Sequence, residues 1–345
     1  MATKKVGSLS DGADYSSLTS WNFAVRGSGG EQTAELINDI TDNLSLTSWT
    51  SSPDGVVTIK SDSPGVKRTV FSAHNGDQMI YSGDADIASL TVEDIVLDGA
   101  GDGVGGNTGQ TASRPGITVV NGTATLTLNR VHIKNVTQYS VLIWTNALTE
   151  DFNCDNCIFE SGDDGAYRGA LATSERATEA TFRNCLFVKC SAGASHSHGA
   201  IYCEDDANSK NYFYNCLSFG NNGADFSHAG TASGNGALTY VRHCVSEDGT
   251  ADDAHEDNTG SVANKTATGT YFRDYANGDY TLKHEDFTNW GVNGEAANTP
   301  AKDFNNRTRV NNDIGPFEYV QHMVAPAIDQ TLTMKMARGL ADHEH

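Results

Sequence analysis

Two adjacent carboxylates, Asp163 and Asp164 in "SGDDGAYRG", are followed by two imidazoles, His196 and His198 in "SHSHGAIYC", 32 and 34 residues beyond Asp164. An acid, a base and a water held between carboxylates are the apparatus of inverting glycoside hydrolysis. The same letters also read as a turn, because Asp and Gly favour αL and Asx conformations. A second set, Asp98 and Asp102 in "DGAGDGVGGNTG", offers two carboxylates in a Gly-rich loop, yet a single acidic loop without repetition is thin support for Ca²⁺. Sulfur supplies the third set. Cys154 and Cys157 form a CxxC, half of a zinc ligand set, but no second pair follows. The chain has no Gly-x-Ser-x-Gly, no Gly-Lys-Ser/Thr phosphate loop and no His-Glu-x-x-His. "DAHED" at 253–257 reads as a solvated loop.

The elements that must position these residues repeat. Ile95 in "VEDIVLDG", Val131 in "LNRVHIKN", Cys157, Cys185, Cys216, and Cys244 in "VRHCVSED" share one register, separated by 36, 26, 28, 31 and 28 residues. Steps of this size, each carrying a β-rich run bounded by Gly, Asn, Asp and Ser, signal a solenoid whose turns bury their faces only against neighbours. Within "FRNCLFVKC" the alternation has period two, and a single straight strand would aim either Asn184, or Arg183 with Lys189, at the core. A corner at Asn184 removes the conflict, so Asn156, Asn184 and Asn215 are expected at corners, their amides hydrogen-bonding from coil to coil as Asn ladders do. Cys157, Cys185, Cys216 and Cys244 then stack roughly 4.8 Å apart in a slot that also accepts Val131 and Ile95, where a thiol behaves as a small hydrophobe. Disulfides are not expected: the cysteine count of 7 is odd and the compartment reads as reducing.

Charge narrows the partners. A formal net charge of −21 from 23 basic and 44 acidic residues disfavours phosphate backbones and anionic membranes. Neither nucleic acid nor membrane is therefore expected as a partner. The opening "MATKKVGSLSDGADYSS" lacks the apolar segment of a secretory leader, and no stretch approaches the length of a membrane span.

Three motifs carry a resemblance. "GADYSSLTSW" places Tyr15, Leu18 and Trp21 at i, i+3 and i+6, one face of a short helix. The repeats follow, and "DFNNRTRVNNDIGPFEY" closes the region, with Asp303, Arg307, Arg309, Asp313 and Phe317 as capping candidates. Together they resemble right-handed parallel β-helix proteins of the pectate-lyase-like superfamily, and more closely a group of uncharacterised β-helix repeat proteins from phages and marine bacteria. The resemblance implies an all-β fold: one β-solenoid with an N-terminal arm and capping helix over 1–25, a parallel β-helix over 26–285, a C-terminal cap over 286–320 and a tail over 321–345, and the mean repeat step gives about eight coils over 56–285. The cap is expected to close the end of the helix through Arg307 or Arg309 paired with Asp303 or Asp313. In the tail, Ile328, Leu332, Met336 and Leu340 step by four, so a partner-contacting helix is one reading.

The polygalacturonase-like branch of that superfamily uses Asn-Thr-Asp, Asp-Asp, Gly-His-Gly and Arg-x-Lys in succession. Here Ser precedes His198, no Asn-Thr-Asp precedes Asp163, and "YVRHCV" replaces Arg-x-Lys. The resemblance, the missing leader, the incomplete catalytic set and the non-β tail point to a non-enzymatic virion structural protein. It would be a capsid decoration or an accessory tail appendage, made in a host cytoplasm and displayed on the virion surface. Its expected partners are other capsid or tail proteins engaged through the termini, with a glycan and a second copy of the chain as further candidates; no cofactor is expected. The competing classes are a tailspike-type polysaccharide hydrolase or lyase using Asp163, Asp164, His196 or His198, and a carbohydrate-binding adhesin presenting outward Tyr212 and Tyr214.

Overall fold

A computed structural model describes residues 2–46, 49, 55–72, 78–83, 87–99, 116–120, 123–136, 139–144, 151–161, 169–173, 179–190, 201–203, 210–221, 225–226, 238–252, 257–261, 272–282, 298–309 and 313–317. Among these residues the chain is mostly strand with very little helix. Three parallel sheets are visited in rotation. The first has nine strands: Ala2–Val6, Glu31–Leu36, Gly55–Ser61, Ile87–Glu93, Thr123–Asn129, Asp151–Asp155, Glu179–Arg183, Lys210–Tyr214 and Leu238–Arg242. The second has eight, from Ile40–Thr41 through Ile95–Asp98, Ile158–Ser161 and Leu186–Val188 to Val245–Ser246, and the third has six, from Leu44–Leu46 to Ile201–Cys203. Each circuit of the chain leaves the first sheet and crosses the second, and the first six pass on to a described strand of the third, so eight circuits stack among the described residues, numbered here from the one beginning at Glu31.

Alternation explains why these segments are strands. Gly55–Ser61 is buried at every second residue, as a strand with one face on a core must be. The parallel register then converts each inward position into a row running along the stack: Ala34, Ile59, Val92, Leu128, Cys154, Phe182, Phe213 and Val241 pair in succession. All eight are at most 1% exposed. Each side chain thus packs on its counterparts one circuit above and below, which ties local sequence to the shape of the interior.

The N-terminal segment differs from the expected plug. Ala2–Val6 is itself a strand, pairing with Glu31–Leu36 at the edge of the first sheet, and the helix Leu18–Val25 is inserted between the two. Leu18 and Trp21 are buried against the stack, but Tyr15 lies ahead of the helix. The reason is competition for its backbone: Tyr15 N–H donates to Lys5 O, and Gly7 N–H donates to Tyr15 O, so the residue is extended alongside Val6. Ser17 caps the helix instead, its hydroxyl accepting from Ser20 N–H at 3.0 Å. Lys4 and Lys5 on the outermost strand place charge on an edge that would otherwise recruit further strands.

The C-terminal part departs further from expectation. The last parallel strand described is Val245–Ser246, and Phe272–Asp274 and Asp279–Leu282 form an antiparallel pair rather than another circuit. Phe272, Tyr280, Phe304, Ile314 and Phe317 make a second apolar cluster with Ile158, Leu186, Val188, Leu217, Phe219 and Val245. The second sheet is accordingly buried on both faces at Leu186–Val188, Leu217–Phe219 and Val245–Ser246, whose residues are all buried. The segment expected to close the end of the stack lies along its flank.

Candidate functional site

Between the first and second sheets the chain turns through one residue of positive φ in six consecutive circuits: Asp94, Arg130, Asn156, Asn184, Asn215 and His243, all between 52° and 57°. Left-handed backbone is costly for residues with a Cβ, and Asn and Asp tolerate it best. The next residue in each circuit, Ile95, Val131, Cys157, Cys185, Cys216 and Cys244, is fully buried. The four thiols donate to the carbonyl two residues back, to Asp155, Arg183, Tyr214 and Arg242, at 3.4, 3.5, 3.4 and 3.3 Å. Burial pushes the Cys154, Cys185 and Cys244 thiols well up, which keeps them protonated. The CxxC is split between two rows, Cys154 in the inward row of the first sheet and Cys157 in the row after the corner, and its two thiols meet each other in the interior. Among the described residues no cluster of His, Cys, Asp or Glu is arranged to hold a metal ion, and six cysteines are buried free thiols.

The corner side chains do more than stack. One bond follows the expected ladder, Asn215 Nδ2 to Asn184 Oδ1 at 3.3 Å. The other amides turn outward to the C-terminal segment: Asn156 Nδ2 donates to Lys302 O at 2.8 Å, and Asn184 Nδ2 donates to Asp313 O at 2.6 Å and Gly315 O at 3.1 Å. Asn215 Nδ2 donates to Thr299 Oγ1 at 2.9 Å. In return Arg309 Nη2 donates to Asn156 Oδ1 at 2.7 Å. Of the expected capping pairs, Arg307 forms its ion pair with the fully buried Asp303 at 2.7 Å. Arg309 reaches the carbonyls of Asp313 and Gly315 as well as the Asn156 amide oxygen.

Two corners nearer the N-terminus are ionic. Arg130 Nε and Nη2 clasp Asp94 at 3.0 Å each, Lys67 Nζ reaches Asp94 Oδ1 at 2.6 Å, and Arg130 also pairs with Glu93. Against the cost of burial, Arg130 and Lys67 hold the Asp94 carboxyl below its ordinary value. A further polar group lies on the outer face of the second sheet, where sequence reading found no motif. Glu160 receives Lys189 Nζ at 3.1 Å on one oxygen and contacts His132 Nε2 at 3.2 Å with the other. The Lys189 ammonium in turn sits 5.1 Å from the Tyr275 ring centre and 5.4 Å from that of Tyr280. Burial opposes ionisation of Glu160, yet His132 and Lys189 bring its carboxyl down to about 2. An ionised carboxylate with one oxygen held by an ammonium and the other by an imidazole is an anchor, here for the antiparallel pair, and is unsuited to general-acid work at neutral pH.

The residues singled out for catalysis fall elsewhere. Asp163, Asp164, His196, His198 and Asp102 lie outside the described residues. By chain order, the first two fall between Ile158–Ser161 and Gly169–Thr173, and the two histidines between Leu186–Val188 and Ile201–Cys203, the same connection one circuit later. Asp98 is buried, with its carboxylate 3.1 Å from Lys134 Nζ and accepting from Asn135 Nδ2 at 2.8 Å. A protein cation already neutralises it, which argues against its use as a Ca²⁺ ligand. Tyr212 and Tyr214 do face outward, but Tyr212 stacks on Tyr240 with ring centres 4.8 Å apart, spending its face on a neighbour rather than on a sugar.

No described helix is long and apolar enough to cross a membrane. The class that these features define is an all-β protein of stacked parallel sheets whose flank is held by its own C-terminal segment. No family model, no curated protein and no solved structure matches the chain.

Proposed function

We propose that the chain is a right-handed parallel β-helix serving as a non-enzymatic virion structural protein, a capsid decoration or accessory tail appendage. The observation that carries this reading is the first sheet, nine parallel strands in continuous succession from Ala2–Val6 to Leu238–Arg242. At roughly 4.8 Å per strand such a stack makes a stiff body on the order of 40 Å long. The buried polar clusters support the same reading, since their side chains are spent on internal bonds that resist deformation rather than on an open cleft. In this view the termini engage other capsid or tail proteins or a second copy of the chain, and the body projects from the virion surface.

Mass spectrometry of purified virions from the source tests the proposal. A copy number in the hundreds relative to the major capsid protein supports lattice decoration, and a few to a few tens supports a tail or vertex appendage. Absence from the particle refutes the virion reading. Deleting 321–345 should leave a folded body that no longer joins the particle, and retained incorporation would sink the anchoring role. One observation favours a second reading, a tailspike-type polysaccharide hydrolase or lyase: the segments bearing Asp163–Asp164 and His196/His198 occupy the same connection in consecutive circuits. If Asp164→Asn leaves cleavage of a host glycan unchanged, those roles fail.

A further inference from the structure

The path of residues 298–309 and 313–317 is not that of an end cap. Thr299 meets Asn215 in the seventh circuit and Lys302 meets Asn156 in the fifth. Phe304 and Asn305 reach the second circuit, where Lys67 Nζ lies 4.2 Å above the Phe304 ring and the position of a Cβ on Gly65 would be 3.0 Å from Asn305 O. The segment then returns. Arg309 meets Asn156 again, Asp313 and Gly315 meet Asn184 in the sixth circuit, and Gly315 N–H donates to Asn215 O at 2.7 Å in the seventh. Its two limbs are joined by Phe304 N–H to Pro316 O at 2.7 Å, Arg309 N–H to Ala301 O at 3.0 Å and the Asp303–Arg307 ion pair. Both places of closest approach have glycines in left-handed backbone, Gly65 at φ 80° on the body and Gly315 at φ 83° on the segment; a Cβ on Gly315 would fall 2.5 Å from Leu217 Cδ1.

A stack of repeats held by nearest-neighbour contacts alone frays from its ends, each circuit opening with its own free energy. A segment bonded to circuits two, five, six and seven at once changes that rule, because opening any of those circuits forfeits contacts to a strap that the others still hold. We propose that residues 298–309 and 313–317 are a longitudinal staple that makes circuits two to seven unfold as one cooperative unit, including their buried second-sheet face. The inference rests on the path of the segment and holds whether or not the protein belongs to a virion.

Amide hydrogen exchange of the full chain, read by mass spectrometry, tests it. The second-sheet amides of Ile158, Leu186 and Leu217, each bonded to the carbonyl of the preceding circuit, should share one protection level with circuits two to four, within about threefold. Protection that declines circuit by circuit toward the ends, by tenfold or more per step, overturns the staple. Arg309→Ala removes the guanidinium that joins Asn156 to the returning limb and should replace the common level by a graded one, with circuits five to seven exchanging at least tenfold faster than circuits two and three. A uniform profile retained in Arg309→Ala also overturns it. Should that variant fail to accumulate, the wild-type profile decides alone.

Discussion

Replacing Asn184 separates the two reasons for its presence. The residue is fully buried, has φ of 53°, donates to Asp313 O at 2.6 Å and Gly315 O at 3.1 Å, and accepts from Asn215. Asn184→Gly keeps the left-handed turn and deletes the amide. Both strap carbonyls retain Arg309 as a donor, so neither is orphaned, and the loss is that of ordinary hydrogen bonds plus unfolded-chain entropy, about 2–3 kcal/mol. Asn184→Ala loses the same bonds and adds the strain of a Cβ at positive φ, about 1–2 kcal/mol more. Asn184→Asp keeps the shape but aims carboxylate oxygens at two carbonyls in a buried site, so its loss should be the largest of the three at neutral pH. Guanidinium unfolding followed by far-ultraviolet circular dichroism gives the order Gly, Ala, Asp in increasing damage. Equal losses for Gly and Ala would refute the backbone argument, and a harmless Gly variant would refute the role of the strap bonds.

Three further outcomes follow from the same geometry. Phe182 stacks on Phe213 with centroids 4.8 Å apart and meets Phe152, Phe159 and Phe187 edge-on, so Phe182→Ala should cost about 4–5 kcal/mol in chemical denaturation, and a loss under about 2 would contradict the row packing. Asp225 is buried, and burial first, then the Asp248 charge, push its carboxyl up from 3.8 to about 7. A raised folded value means its contribution is fully present below about pH 4 and lost as pH rises through 7. Wild type should therefore lose stability relative to Asp225→Asn over that window, by at most about 4 kcal/mol, and parallel pH–stability curves would refute the shift. The six buried cysteines should ignore a thiol reagent in the native protein and react on full unfolding, and native-state labelling of Cys157 or Cys185 would refute the interior row.

Much of the stacking was legible in the sequence because a repeat writes its tertiary contacts locally. Each Asn-Cys pair meets its copy one circuit away, so the spacing of Cys157, Cys185, Cys216 and Cys244 already implied a row, and the odd polarity of Asn184 implied a corner. What replaced Asn at Asp94, Arg130 and His243 was hidden by residue type, although the backbone conformation is the same. The lone CxxC has its own reason: two neighbours in sequence belong to separate rows once the corner turns the chain.

By itself, then, the sequence determined the β character, the period, the three Asn corners and the apolar slot that follows each, all of them consequences of a pattern that recurs every few tens of residues. Only the tertiary structure decided where residues 298–309 and 313–317 run, that Asn156 and Asn184 hold their carbonyls, and that Glu160 gathers His132 and Lys189 beneath Tyr275 and Tyr280. The strap contacts join residues as much as 153 positions apart and occur once each. A contact without a repeat leaves no periodic trace in the chain, and its partners become visible only when the stack brings them to one flank.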